Sequence, residues 1–118
     1  MSTPLLPLDP LLHQPARTQL VAYLSGRGEA TFSELKRVLG VTDGNLGAHL
    51  AKLMEAGYLA TGEATDNGRA QTIYSLSQYG RSALTEYVTR LTALMALSSR
   101  NEPIKDAFPI PNPEGETQ

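Results

Sequence analysis

The stretch from Thr31 to Arg81 constrains this chain most, because several local folding signals follow one another in it with few connecting residues. Leu35, Val38 and Leu39 recur at helical spacing and stop at Gly40, a residue type that readily takes the left-handed conformation ending many helices. Val41 packs inward across a tight turn, and Thr42 suits the N-cap of a second helix running to about Ala56, with Gly57 as its C-cap. Leu46, Leu50 and Leu53 give that helix a buried stripe at i, i+4 and i+7. Tyr58 to about Thr65 then reads as a strand and Gln71 to Leu76 as its partner. Asp66-Asn67-Gly68-Arg69 links them, and Asn and Gly tolerate the positive φ that hairpin turns need. Ser77 suits the cap of a last helix, with Gly80 tolerated in its first turn. This order predicts an α+β fold, mostly α: a three-helix core, a β-hairpin and a long C-terminal helix.

The flanks complete the outline. Pro4, Pro7 and Pro10 mark residues 1–8 as an extended lead-in. A first helix is expected from about Asp9, with Asp9 as N-cap and Pro10 at the first helical position. Leu12, Ala16, Leu20, Tyr23 and Leu24 form its apolar stripe, and Gly26 and Gly28 close it. Pro15 lies inside this span, where it either kinks the helix or delays its start. Thr31-Phe32 reads as a short strand and Ser33 as the N-cap of the helix from Glu34. The last helix carries Leu84, Val88, Leu91, Leu94 and Met95, with Tyr87 nearby, a long apolar stripe for a domain of this size. Residues 9–99 are therefore expected to form one domain, followed by an acidic, Pro-rich and disordered tail over 100–118.

Composition removes several function classes. At 118 residues the chain suits one domain. Without Cys it has no disulfide framework and no thiolate metal site, and no His/Asp/Glu cluster shows ligand spacing, so no metal is expected. Every apolar stretch is broken within a few residues, which excludes a spanning helix. Met1-Ser2-Thr3-Pro4 lacks the basic start of a signal peptide, and the expected compartment is the cytoplasm. Gly26-Arg27-Gly28 is too short for a phosphate loop, no Ser/His/Asp arrangement has a recognisable context, and no carboxylate pair stands out. An enzyme is not expected, and neither is a cofactor. The net charge is −2. Residues 101–118 hold Glu102, Asp106, Glu114 and Glu116 against Lys105, leaving nine Lys/Arg against eight Asp/Glu in the rest. A near-neutral domain binds nucleic acid only through a local basic patch, because phosphate neutralisation supplies most of the non-specific affinity.

The second helix of the turn carries the best candidates. A helix in this position can enter the DNA major groove, and the hairpin beside it then acts as a wing. Its outer face is expected to present Asp43, Gly44, Asn45, Gly47, Ala48, Ala51 and Lys52. Small residues allow close approach, Asn45 can pair with an adenine edge and Ala48 can touch a thymine methyl. Lys52 and the N–H groups at the Thr42 end can meet phosphates. Asp43 either caps the helix or accepts from a cytosine amino group. His49 reads as a phosphate contact or as a partly buried histidine hydrogen-bonded within the turn. Arg69 is the wing candidate, reaching the minor groove or its phosphates with help from Gln71 and Thr72, or else pairing with Glu63 or Asp66. Arg17, Lys36 and Arg37 are flanking phosphate candidates or solvated helix charges.

These residues together resemble the winged helix-turn-helix transcriptional regulators of bacteria and archaea, most closely the small single-domain type near the MarR and ArsR groups. The motifs that carry the likeness are Leu8-Asp9-Pro10 with His13 and Arg17, Thr31 to Leu35, Val41 to Leu50, Leu53 through Leu59, Thr72 to Leu76 and Gly80-Arg81. The resemblance implies a homodimeric repressor on palindromic or pseudo-palindromic operators. It also implies a dimer interface from the first and last helices, here Leu12, Leu20, Tyr87, Leu91, Leu94 and Met95. Metal sensing of the ArsR kind is not expected, since its ligands are missing. Two further readings stay open: a winged helix that binds another protein, and a regulator controlled by a small molecule held at the dimer interface.

Overall fold

The computed structural model describes residues 7–100. The expected tail, from residue 101 on, and residues 1–6 of the expected lead-in lie outside them. The order is α1 (Pro15–Arg27), β1 (Glu29–Thr31), α2 (Phe32–Leu39), α3 (Asp43–Glu55), β2 (Leu59–Asp66), β3 (Arg69–Leu76) and α4 (Gln78–Arg100).

The first helix starts six residues later than Asp9, at Pro15. Within a helix Pro15 would break a backbone hydrogen bond, whereas at the first position its missing N–H costs nothing. Gln14 is the N-cap, its side chain accepting from Arg17 N at 2.8 Å. Asp9 instead caps a turn by accepting from Leu11 N at 2.9 Å, and it also accepts the hydroxyl of Tyr58. Burial, reinforced by that bond, pushes the Tyr58 phenol far above its ordinary range. Residues 7–14 thus form a strap over the core. Arg90 Nη1 donates to Pro7 O at 2.9 Å, and His13 Nδ1 lies 2.9 Å from the Tyr87 hydroxyl.

β1 pairs with β3 up to Thr31↔Ile73. That pairing holds Thr31 extended, the conformation an N-cap needs, so Thr31 rather than Ser33 caps α2 by accepting from Glu34 N at 3.2 Å. Phe32 consequently belongs to the helix and not to the strand. Leu35 is fully buried, with Phe32 and Leu39 against the same core, while Val38 is exposed rather than buried. Positions 32, 35 and 39 share one face of an eight-residue helix and 38 falls off it. Gly40 ends the helix with φ 66°, and Thr42 caps α3 by accepting from Asn45 N at 3.1 Å. The C-cap of α3 is Ala56, one residue before the expected Gly57, which takes φ 83° just beyond it.

The sheet has the order β1-β3-β2 and is antiparallel throughout. β2 and β3 pair from Leu59↔Leu76 to Asp66↔Arg69 around a two-residue turn, Asn67 and Gly68, both at positive φ. The core is built from Leu20, Val21 and Leu24 of α1, Leu35 of α2, and Leu46, Leu50 and Leu53 of α3. Leu12, Tyr58, Leu59, Leu76 and Tyr87 close it. Three residues expected at a dimer interface, Leu12, Leu20 and Tyr87, are therefore core residues of the single chain. Leu12 comes from the strap, Leu20 from α1 and Tyr87 from α4.

Gly80 is required rather than tolerated. A Cβ there would lie 2.1 Å from the Tyr58 carbonyl oxygen, a backbone atom that cannot yield. Gly47, inside α3, has nothing within 4 Å of the corresponding position. We expect Gly80→Ala to destabilise the domain by about 3 kcal/mol or more, through forced displacement of the β2–α4 junction. Gly47→Ala should stabilise it by about 0.5–1 kcal/mol, because alanine loses less backbone entropy in a helix. Urea unfolding followed by circular dichroism reads both, and equal midpoints for the two variants would contradict the account of Gly80.

Candidate nucleic-acid interface

The turn Gly40-Val41-Thr42 sets α3 against α2, and the leucine stripe of α3 decides which side it turns outward. Leu46, Leu50 and Leu53 face the core, which leaves Gly44, Asn45, Ala48, Ala51 and Lys52 exposed. Gly47 is half-buried at the border rather than on the outer face. The exposed edge carries short side chains near the N-terminus of α3 and one positive charge, Lys52, in its last turn. Thr42, at the cap, is exposed, and its Oγ1 is occupied by Asn45 N, which leaves its O–H available to donate.

Asp43 makes an ion pair with α2. Its Oδ1 lies 2.8 Å from Lys36 Nζ, so the carboxylate that would repel a phosphate is paired across the turn. Arg37 is exposed in the last turn of α2. Tyr23 and Arg27 of α1 both donate to Glu34 of α2, Arg27 Nε at 3.0 Å. The Tyr23 bond, then the Arg27 contact, hold the Glu34 carboxyl below its ordinary range. This cluster ties α1 to the front of α2 and leaves Arg37 and Lys52 as exposed cations on the helix pair.

His49 is half-buried, as one of its two sequence readings had it, but its partner lies outside the turn. Arg17 Nη1, at the start of α1, sits 3.1 Å from His49 Nδ1. Arg17 Nε in turn donates to Leu11 O at 2.7 Å. Arg17 is thus committed to bonds within the chain and is not a free flanking cation. No sequence signal pairs positions 17 and 49, because the contact exists only once the fold brings the start of α1 beside the middle of α3.

The wing puts Arg69 opposite Asp66 in the strand register. Among the described residues neither it nor Asp66 or Glu63 enters an ion pair, and Arg69 is exposed. An open groove of about 500 Å³ runs between the β1–α2 junction and β3, lined by Ser33, Arg69, Gln71 and Thr72 among others. It brings the wing strand alongside the start of α2. The described residues contain no group of three His, Cys, Asp or Glu able to hold a metal ion. No helix among them is long and apolar enough to cross a membrane.

The sequence profile of the winged helix DNA-binding domain matches residues 16–95, from the start of α1 into the second half of α4. The chain belongs to this family. It is 34% identical over 84 residues to an uncharacterized protein of Methanocaldococcus jannaschii, an alignment covering 71% of this chain and 91% of that one. Among solved structures it is similar to a transcriptional regulator homologue from Pyrococcus horikoshii, at 27% identity and a TM-score of 0.67, over 73% of this chain and 85% of that one. A MarR family transcriptional regulator from Silicibacter pomeroyi shares the fold at 22% identity and a TM-score of 0.60, over 77% and 60% of the two chains. The helix-turn-helix and the hairpin of this winged helix domain are those read from Thr31 to Arg81, and MarR-type regulators are its structural company.

Burial first, and the Arg17 charge second, lower the pKa of His49 from its ordinary value near 6.5. A histidine depressed in the folded state binds fewer protons there than in the unfolded chain, so its share of the stability is complete above the ordinary pKa. That share is lost as the pH falls through it. We expect the wild-type urea midpoint to fall on acidification from about pH 7.5 to about pH 5.5, and His49→Gln to fall less. Parallel pH profiles would remove His49 from the acid sensitivity.

Proposed function

We propose that this winged helix domain is a sequence-specific double-stranded DNA-binding transcriptional regulator, a homodimeric repressor acting on a pseudo-palindromic operator in the cytoplasm. The observation that carries the reading is the exposed edge of α3, small and polar opposite a fully leucine-lined inner face. Asn45 and Ala48 read base edges, Gly44 permits close approach, and Thr42 and Lys52 meet phosphates. Arg69 and Gln71 contact the neighbouring minor groove from the wing, and Arg37 adds affinity from α2. Asp43, held by Lys36, serves the turn instead.

The stretch of α4 from Val88 onward supports the dimer. Val88 is 50% exposed, Met95 65% and Leu97 50%, with Leu91 and Leu94 half-buried along the same helix. An apolar stripe left open on a small domain is suited to a symmetric partner. The proposed interface is Val88, Leu91, Leu94 and Met95, without the core residues Leu12, Leu20 and Tyr87. Such a dimer would set two α3 helices about 34 Å apart on successive major grooves. A cavity of about 340 Å³ lined by His13, Pro15, Thr18 and Tyr87, between the start of α1 and α4, offers a small-molecule effector a place next to that interface.

Fluorescence anisotropy against the DNA upstream of the protein's own gene, at two salt concentrations with random DNA as control, tests the function. Specific, salt-dependent binding saturating at two protomers per site is expected, and binding no tighter than to random DNA would overturn it. Arg69→Ala should weaken binding to all sequences and reduce the salt slope by about one. An unchanged slope would remove Arg69 from the phosphate contacts. Val88→Glu combined with Met95→Glu should yield a folded monomer in sedimentation, with cooperative operator binding lost. A dimer that survives both charges would place the interface elsewhere.

A further inference from the structure

The contact between Arg17 and His49 fixes more than a position. A guanidinium has only donors and keeps its charge at any physiological pH, so at 3.1 Å from Arg17 Nη1 the Nδ1 atom of His49 has to be the acceptor. An imidazole accepting at Nδ1 is neutral and carries its proton on Nε2. Arg17 itself is held in place. Its Nε donates to Leu11 O, its backbone N donates to Gln14 Oε1, and Leu11 belongs to the strap anchored through Asp9 to Tyr58. Among the described residues Nε2 has no hydrogen-bond partner, and His49 is half-buried rather than enclosed. Asn45, His49 and Lys52 follow one another at i, i+4 and i+7, along one edge of α3. Arg17 is the charged group in contact with the ring, and Lys52 is the titratable neighbour on its own helix.

We propose that Arg17 is a positioning residue that locks His49 as a neutral Nε2–H donor to a DNA phosphate oxygen beside Lys52. The inference rests on the reading of α3 as the helix that meets DNA. It gives the contact a distinctive signature. A neutral donor orients the backbone and adds affinity, but it displaces no counterion, so it contributes nothing to the salt slope. Lys52 and Arg69 contribute to both.

Two measurements on the full chain test this. Long-range proton–nitrogen NMR of the His49 ring in the free protein should show the Nε2–H tautomer in the wild type and a mixture in Arg17→Met, which keeps the stem and loses the donors. Anisotropy titrations should show His49→Ala weakening operator binding about tenfold at an unchanged salt slope. His49→Gln, whose amide nitrogen can stand in for Nε2, should recover part of the loss. Arg17→Met with His49→Ala should bind no more weakly than His49→Ala, apart from the one charge removed. A wild-type ring protonated on Nδ1 overturns the lock whatever the DNA result. The Nε2–H tautomer with full affinity in His49→Ala overturns the phosphate contact. The same tautomer in a protein that binds no DNA overturns the reading of α3, and the phosphate contact with it.

Discussion

Tyr58 is the joint on which the described parts of this domain meet. Its backbone N–H donates to Leu53 O at the end of α3, and its carbonyl accepts from Ser77 N at the start of α4. Its ring meets Tyr79 edge-on with centroids 5.3 Å apart, and its hydroxyl holds Asp9 of the strap. The residue is buried, so each of these polar groups has to find a partner inside the protein, and each does. Gly80 packs directly on the Tyr58 carbonyl, the closest backbone approach at any glycine of the described domain. Ser77 completes the joint, donating to Gly57 O at 2.6 Å while accepting from Gly80 N at 3.0 Å. The hairpin and α4 are thus tied to the end of the helix-turn-helix through one set of hydrogen bonds.

A consequence is that the two ends of the domain are connected through the strap. Residues 7–14 touch α4 through Arg90 and His13, touch the α3–β2 junction through Asp9, and hold Arg17 against His49 in the middle of α3. The helix proposed to meet DNA and the helix proposed to meet a partner therefore share one set of hydrogen bonds, in a segment that on sequence alone is the end of a lead-in and the first turn of a helix. The near-neutral charge of the domain fits the same economy. Asp43 and Glu34 are each matched by a cation, while Arg37, Lys52 and Arg69 stay exposed.

The parts of the fold legible in the sequence are those governed by short-range chemistry. Gly40, the leucine stripe of α3, Thr42 as its cap and the Asn67-Gly68 turn each act within a few residues, and α2, α3 and the two hairpin strands fell within a residue or two of their expected bounds. The differences arose where a distant segment decides the outcome. Thr31 displaced Ser33 as cap because β3 holds it extended. Asp9 serves a turn and the Tyr58 hydroxyl rather than a helix, while the start of α1 at Pro15 follows from that proline's own missing N–H. Val38 belongs to an apolar pattern, yet it finds no core on its side of α2.

By itself, then, the sequence determined the order of elements, the inner and outer faces of α3 and the winged helix class, since periodicity, caps and turn residues are local properties. Only the tertiary structure decided which apolar residues read into the first and last helices are buried within one chain and which stay exposed. Leu12, Leu20 and Tyr87 carry the same kind of signal as Val88 and Met95, and burial separates them only in the folded chain. The same holds for Arg17, whose charge looks solvated along the chain and is bound once α1 meets α3. Hydrophobicity and charge are properties of a residue, whereas burial and pairing are properties of what the folded chain places beside it.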